Sequence, residues 1–495
     1  MKTVDIIIIG GGVVGCMIAR ALSRFALHVL LIEKEDDIGT GATSANSAIV
    51  HAGYDPVTGT LKAKMNVAGN AMWDSLSGEL GFEFERRGDY VVAVGKEELA
   101  LLDGLQTQGQ NNGVPGMHFI SADEMRLREP NLSPHVSGAL WAPTGGICDP
   151  FMLTVAAAEN AVHNGVSLLT GTRFEDFIFD QRRIVGVKTN RGDFACRWVV
   201  NAAGLYADEV MHKAGVRPEF KICPRRGEYS VLDRAEIQIN NVLFPVPSEK
   251  GKGILVTTTV HGNTIVGPNS QWVDDKEDRS VTGDGMAEIW SGAQKLIPSL
   301  TSRFSIAVFA GLRACGNAPC QTPGVKHNHD FVIEIPAEVQ GLVNLGGIES
   351  PGLTSAPAIA RRVVDLLQDA GEKLAVKRGW DPIREPRPHF RRLPREEQIK
   401  LIKADPRYGR VICRCEMVTE GEIIAEIHAP IPALTYDAIK RRTWLGTGRC
   451  LGSFDMPRVV DLIAHELGVP PEAVSKKGPG SEFLVRKTKE WEVPA

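Results

Sequence analysis

Charge of either sign is nearly balanced in this 495-residue chain, with 56 Lys and Arg against 60 Asp and Glu and a formal net charge of −4. No dense basic stripe interrupts that balance, which argues against a nucleic-acid partner. No apolar run approaches the ~20 residues that span a bilayer, so any exchange with a membrane pool would be peripheral or through a partner. The nine cysteines are odd in number and scattered. They predict reduced thiols and a cytoplasmic setting rather than a disulfide framework, and Cys315 and Cys320 read as free thiols. Internal repeats and low-complexity tracts are absent. The length exceeds one small core and predicts two or three domains.

The first 53 residues carry the most information. Residues 5–9 read as a strand buried on both faces of a parallel sheet. Gly10, Gly12 and Gly15 then form G-x-G-x-x-G. The first serves a tight turn, the second a close backbone approach to a pyrophosphate, and the third helix–strand packing. A helix over 14–25 points its N-terminal amides at the phosphates. A second strand, 27–32, ends at Glu33 and Lys34, and a carboxylate at Glu33 suits the two ribose hydroxyls. The opening MKTVDIIIIGGG has a superficial likeness to a secretory leader, but Asp5 and the glycine fingerprint argue against it.

Three later segments separate FAD from NAD. Residues 41–47, including Thr43, Ser44, Asn46 and Ser47, are small and polar, as a loop along a ribityl–phosphate chain would be. VVNAAG, ending at Ala203 and Gly204, is a strand closing in small residues that can abut a nucleotide. Asn344-Leu345-Gly346-Gly347 is a late strand-to-helix turn, and Leu353 and Thr354 lie in the helix after it. A helix N-terminus there would stabilise the negative charge of a reduced flavin.

The fold expected is α/β: a Rossmann-type FAD domain (1–85, 140–215, 336–375), interrupted by a mixed β-sheet substrate domain (86–139, 216–335). Asp149 and Pro150 predict the cap and first turn of a helix over 149–164. A polar helix is expected around 60–80 and strands over 166–170, 183–189 and 194–201. Residues 376–404, rich in Pro and Arg, read as a linker or surface strap. A small helical cysteine module comes next over 405–480, with helices around 419–428 and 457–467, and then a tail, 481–495.

With GGGVVG, GATSANSAIVHAG, LKAKMNVAGN, VVNAAGLYAD, CPRRGEY, TIVGPN and AGLRA in order, residues 1–370 resemble the D-amino-acid-oxidase-like FAD oxidoreductases. The likeness is to the branch of glycerol-3-phosphate and L-2-hydroxyglutarate dehydrogenases. It implies FAD, non-covalent unless linked through His51, with substrate held between flavin and sheet. Arg313 resembles the arginine that clamps a carboxylate or phosphate in that family, a task suited to a guanidinium. His51, in the HAG run, would lie near the isoalloxazine as base or as a structural histidine. His261, in a hairpin turn, is a second base candidate. Tyr229 and Arg226 would line the pocket or pack the sheet. The run Gly346–Pro357 lacks the GGK-x-x-T-Y-R of glycerol-3-phosphate enzymes and is closer to the SPAATSA of 2-hydroxyglutarate enzymes. Those usually carry a histidine where Leu255 stands.

The resemblance thus implies a dehydrogenase for a small anionic hydroxy compound, passing electrons to a quinone or a protein acceptor. Alternatives are an amine or imino-acid dehydrogenase, or an electron-transfer subunit without a working substrate site. Cys413, Cys415 and Cys450 resemble the small 2Fe–2S domain related to bacterioferritin-associated ferredoxin. Its pattern is C-x-C then C-x4-C, four thiolates for two irons. Asp455 occupies the fourth position. Either it ligates iron through oxygen or the cluster is lost and the thiols remain.

Overall fold

A computed structural model describes residues 2–216, 220–247, 253–316 and 330–486. Cys320 and residues 487–495 lie outside the described residues. The chain divides into two compact units, one of Met1–Lys34 with Ile38–Arg384, the other of Glu35–Asp37 with Glu385–Ala495.

The fingerprint strand Ile6–Ile9 lies inside a six-stranded sheet. Its order is Ser167–Leu169, Val29–Ile32, Ile6–Ile9, Trp198–Asn201, Leu342–Gly346, Val332–Glu334. The first five run parallel and the last antiparallel. All four isoleucines are buried, because helices and a second layer cover both faces and leave no alternation to read. Helix Val13–Ser23 packs against Pro150–His163 and Gly352–Asp369. Asp149 caps Pro150–His163 by accepting from the Phe151 and Met152 amides at 2.9 and 3.0 Å, with Pro150 in the first turn as expected.

A nine-stranded sheet stands beside this layer. It joins Asp89–Val94, His118–Ser121 and Val136–Ala142 to strands between Ile222 and Gly316. The long antiparallel pair Ile222–Leu232 with Ser305–Gly316 lies toward one end, and Gly283–Leu296 packs on the sheet through Ile289, Ala293 and Leu296.

Several expectations need correction. The helix over 60–80 is two, Leu61–Asn70 and Trp73–Leu80, and the break buries the Trp73 ring, whose Nε1 donates to the Thr354 carbonyl at 3.1 Å. The strand over 194–201 is also two, in different sheets, because the chain turns at Cys196 and Arg197 to bond Val185 and Asp5. The expected linker holds helix Arg395–Ala404. None of its residues is buried, so it carries no apolar period. Before it, the chain straps the first unit: Trp380 donates to Ser23, and buried Arg384 pairs with Glu159 at 2.6 Å.

The second unit contains helices Glu420–Ile427, Tyr436–Thr443 and Met456–Leu467. Thr419 and Glu422 form a reciprocal capping box on the first. The middle helix was not expected. Its KRRT end reads as solvent-facing, yet Arg442 is buried and donates to the Ala438 carbonyl at 3.0 Å.

Candidate active site

The glycines of the fingerprint divide by what surrounds them. Gly10 has φ +107° and an added Cβ would lie 2.5 Å from the Ala202 carbonyl oxygen; at Gly15 it would run into the Gly10 carbonyl. Gly12 has ordinary φ, −73°, and a Cβ there would meet only Thr43 Oγ1 at 3.4 Å. The protein itself therefore does not demand glycine at 12, whereas a ligand lying on the backbone would. Glu33 Oε2 accepts from the Gly11 amide at 2.7 Å, fixing the carboxylate at the mouth of the glycine loop. Thr43 Oγ1 accepts from the Val13 amide at 3.0 Å and ties the next loop to the helix N-terminus.

That loop is folded on itself. Ser44 Oγ donates to the Thr40 and Gly41 carbonyls, and Asn46 donates to the Thr43 carbonyl while accepting from the Ala48 amide. At Gly41 and Gly204 nothing lies within 4 Å of where a Cβ would stand. Ala203 donates its amide to Asn201, and Lys34 lies 4.3 Å over the Tyr206 ring. Gly347 takes φ +65°, and Gly346 is pressed on by the Phe220 ring. Open backbone at Gly12, Gly41 and Gly204, on three separate segments, fits an extended dinucleotide.

The candidate reacting residues lie just beyond that loop, in the segment 350–354, and on the strand pair Ile222–Leu232 with Ser305–Gly316. Thr354 Oγ1 accepts from the His51 amide at 2.9 Å, and the His51 carbonyl accepts from Asn70 at 2.9 Å. Thr354 thus positions His51. His51 Nε2 lies 3.4 Å from Ser350 Oγ. On that strand pair, Arg225 stands opposite Arg313 and Gly227 opposite Gly311. A Cβ on Gly311 would run into Ala45, so this face meets the flavin loop. Arg313 Nη2 donates to the Asn269 carbonyl at 3.3 Å, while its Nη1 is buried without a hydrogen-bond partner. Tyr229 hydrogen-bonds Ser47 and Arg313; burial pushes its phenol up from the usual value, and Arg313 offsets part of that.

Glu349 was missed from sequence. It is buried, with Lys62 Nζ and Arg225 Nη2 each 2.7 Å from a carboxylate oxygen and the Cys315 thiol at 2.8 Å. Burial pushes its pKa up, but Lys62 and Arg225 outweigh this and hold it at about 2. The signal was a lone acid inside a Gly- and Pro-rich turn, which looks solvated. A run of six charges, 274–279, was missed too. Lys276 pairs with Asp208 at 2.8 Å and Glu209 at 2.7 Å, Glu277 bonds Tyr206 and Lys34, Asp278 pairs with Arg226 at 2.7 Å, and Arg279 donates to the Thr40 carbonyl. This segment ties down three pieces that border the nucleotide positions.

His261 lies between Glu83 and Asp149, at 3.7 and 3.6 Å, so its acidic partners belong to the helix cap rather than to the His51–Ser350 pair. Arg226 projects from the strand face opposite to Arg225 and is buried against Asp278 and Gln271. Leu255 is buried in the sheet core with Val242 and Phe244.

In the second unit, Cys415 Sγ and Cys450 Sγ are 3.2 Å apart, well beyond a disulfide bond of about 2.05 Å, and neither they nor Cys413 form a disulfide. Cys413 is buried. Burial pushes its thiol up to about 12, and the neighbouring Asp455 carboxylate adds to this. Asp455 precedes helix Met456–Leu467 but does not cap it. Its Oδ1 accepts from the Tyr436 hydroxyl at 2.7 Å, and its Oδ2 is buried without a hydrogen-bond partner. Among the described residues no three His, Cys, Asp or Glu side chains converge on a single ion. Cys415 lies against Cys450 and Cys413 against Asp455, two contacts of the kind that a cluster whose irons each take two protein ligands would use.

A parallel sheet with a glycine-rich loop, a facing mixed sheet with a cationic face, and a separate cysteine module are the architecture of a flavin oxidoreductase. Residues 5–366 match the FAD dependent oxidoreductase family, and residues 411–464 match the BFD-like [2Fe-2S] binding domain. The chain belongs to the FAD dependent oxidoreductase family and has both FAD and 2Fe–2S binding domains. It is similar to glycerol 3-phosphate dehydrogenase of Caloramator mitchellensis, at 43% identity over 488 residues, 98% of this chain and 99% of the relative. It is also similar to mitochondrial L-2-hydroxyglutarate dehydrogenase of Bos taurus, at 31% identity covering 67% and 74%. Among solved structures, the FAD-bound L-alpha-glycerophosphate oxidase of Mycoplasma pneumoniae is 32% identical with a TM-score of 0.72, covering 78% of this chain and 99% of that one. The likeness expected from sequence is thereby established.

Proposed function

We propose that the chain is a glycerol 3-phosphate dehydrogenase, oxidising the secondary hydroxyl of its substrate to a ketone. The observation that carries this is an excess of cations: Lys62, on helix Leu61–Asn70, and Arg225 and Arg313, on adjacent strands, with Glu349 paired to the first two. Two positive charges remain over, matching a phosphate dianion. Arg313 Nη1, buried and unpartnered, supplies the donor for it. A relative aligned over nearly the whole chain, C-terminal module included, acts on the same compound by its name.

Bound FAD supplies a two-electron acceptor for the hydride leaving the carbon that bears the hydroxyl. His51 accepts the hydroxyl proton, its ring steadied by Ser350 and its backbone by Thr354 and Asn70. Tyr229, hydrogen-bonded to both Ser47 and Arg313, fixes the guanidinium relative to the loop. The 2Fe–2S module points to a one-electron carrier or quinone as the acceptor. No helix among the described residues is long and apolar enough to cross a membrane, so contact with a quinone pool would be peripheral, on the cytoplasmic face.

The test is anaerobic mixing of the FAD-loaded protein with candidate donors. Glycerol 3-phosphate should bleach the flavin within a turnover, with L-2-hydroxyglutarate and amino acids inert. Bleaching by L-2-hydroxyglutarate alone, the reading favoured by the Ser350–Ala356 pattern, would replace the substrate. Bleaching by none of them would leave the electron-transfer-subunit reading.

A further inference from the structure

We propose that Asp455 is an iron ligand through Oδ2, sharing one iron with Cys413, while Cys415 and Cys450 hold the other iron. The inference rests on the 2Fe–2S reading of the module and assigns its ligands.

The argument begins with what Asp455 fails to do. An aspartate directly before a helix ordinarily accepts from that helix's first amides, yet Asp455 makes no such bond to Met456–Leu467. It turns inward instead, and both Asp455 and Cys413 are 1% exposed. Tyr436 occupies one carboxylate oxygen at 2.7 Å, leaving Oδ2 buried without a partner. A buried, unpaired carboxylate oxygen is costly. The Cys413 thiol is hydrogen-bonded with the same carboxylate, so one iron can take both as ligands.

The geometry supplies the pairing. Cys415 and Cys450, 3.2 Å apart, form an outer pair, each partly exposed. Cys413 and Asp455 form the buried inner pair. Glycines crowd the surroundings: Gly446 and Gly452, both at positive φ, abut the Tyr436 hydroxyl, and a Cβ on Gly448 would lie 2.5 Å from that of Cys415. Replacing a thiolate by a carboxylate keeps the ligand set's charge unchanged, while a harder oxygen donor makes the two irons unlike. Tyr436 holds the carboxylate to one-oxygen ligation, an outer hydrogen bond of the kind that orients ligands. Assembly releases the thiol protons to solvent as the thiolates bind iron.

The full chain, purified anaerobically after growth on iron-57, tests this by Mössbauer spectroscopy. The expected result is about two irons and two sulfides per chain, in two doublets of equal area and unequal isomer shift. Asp455→Cys should merge the doublets. Cys413→Ser should move the doublet of larger isomer shift, and Cys450→Ser the other. Matching wild-type doublets that Asp455→Cys leaves unchanged would overturn the ligand assignment while the cluster reading stands. Iron in Asp455→Cys but none in the wild type would also overturn it. Iron in neither would overturn the cluster reading itself.

Discussion

Arg225 and Arg313 stand directly opposite each other on adjacent antiparallel strands. Like charges so placed destabilise a sheet, and the protein discharges only one of them. Arg225 is paired with Glu349 at 2.7 Å, whereas Arg313 keeps a buried, unpartnered Nη1. That unpaired charge, on the face that meets the loop at Ala45, is the basis on which Arg313 is proposed to hold an anionic substrate.

Arg313→Lys should therefore raise KM by about 30-fold, the equivalent of roughly 2 kcal/mol for one charge-assisted hydrogen bond. FAD content should stay at the wild-type level. Steady-state kinetics with flavin absorbance as the control decides this, and an unchanged KM removes Arg313 from the clamp.

His51→Gln should lower kcat by about 100-fold or more, the usual span for loss of a general base, with KM little altered. Rapid mixing under anaerobic conditions separates slower flavin reduction from weaker binding. Equal reduction rates would assign His51 a purely structural part.

Glu349 links the site to stability. Its folded pKa of about 2 lies below the ordinary glutamate value of 4.5. The carboxylate thus contributes stability that is present above 4.5 and is lost as pH falls toward 2, up to about 3 kcal/mol in all. Glu349→Gln should cost about 2–4 kcal/mol at neutral pH by leaving Lys62 and Arg225 unpaired. It should also flatten the acid limb of a melting-temperature profile. Parallel acid limbs would contradict this.

Gly12→Ala should leave the fold intact and weaken FAD binding at least about tenfold, because only a bound pyrophosphate contests that Cβ. Gly15→Ala should instead destabilise the protein itself. Far-UV melting of the apoproteins beside FAD titration distinguishes the two.

Lys276→Ala should speed FAD release by about tenfold, equivalent to ~1.4 kcal/mol, by freeing the segment held on Asp208 and Glu209. High salt should speed release from the wild type and change the variant less, since screening acts on the same pairs. Flavin fluorescence after dilution measures both rates.

Much of this was legible in sequence because local chemistry carried it. The Gly10–Gly15 spacing, the cap at Asp149 and the run of isoleucines each specify their own geometry within a few residues. The helix Arg395–Ala404 was not legible, since it buries no side chain and has no apolar face to read. Helix Tyr436–Thr443 was hidden by Arg442, a charged residue that reads as solvent-facing yet is buried and donates to the Ala438 and Ile431 carbonyls.

The sequence alone determined a dinucleotide fold, a flavin rather than a nicotinamide, and a cysteine module with one acid in a thiol's place. These are matters of residue type and spacing. Tertiary structure decided which charges are cancelled and which stay available. It set Glu349 against Lys62 and Arg225, left Arg313 uncommitted, committed His261 to Glu83 and Asp149, and turned Asp455 from its helix toward Cys413. Pairing of charges depends on distances between segments remote in the chain, and only the folded sheets and helices set those distances.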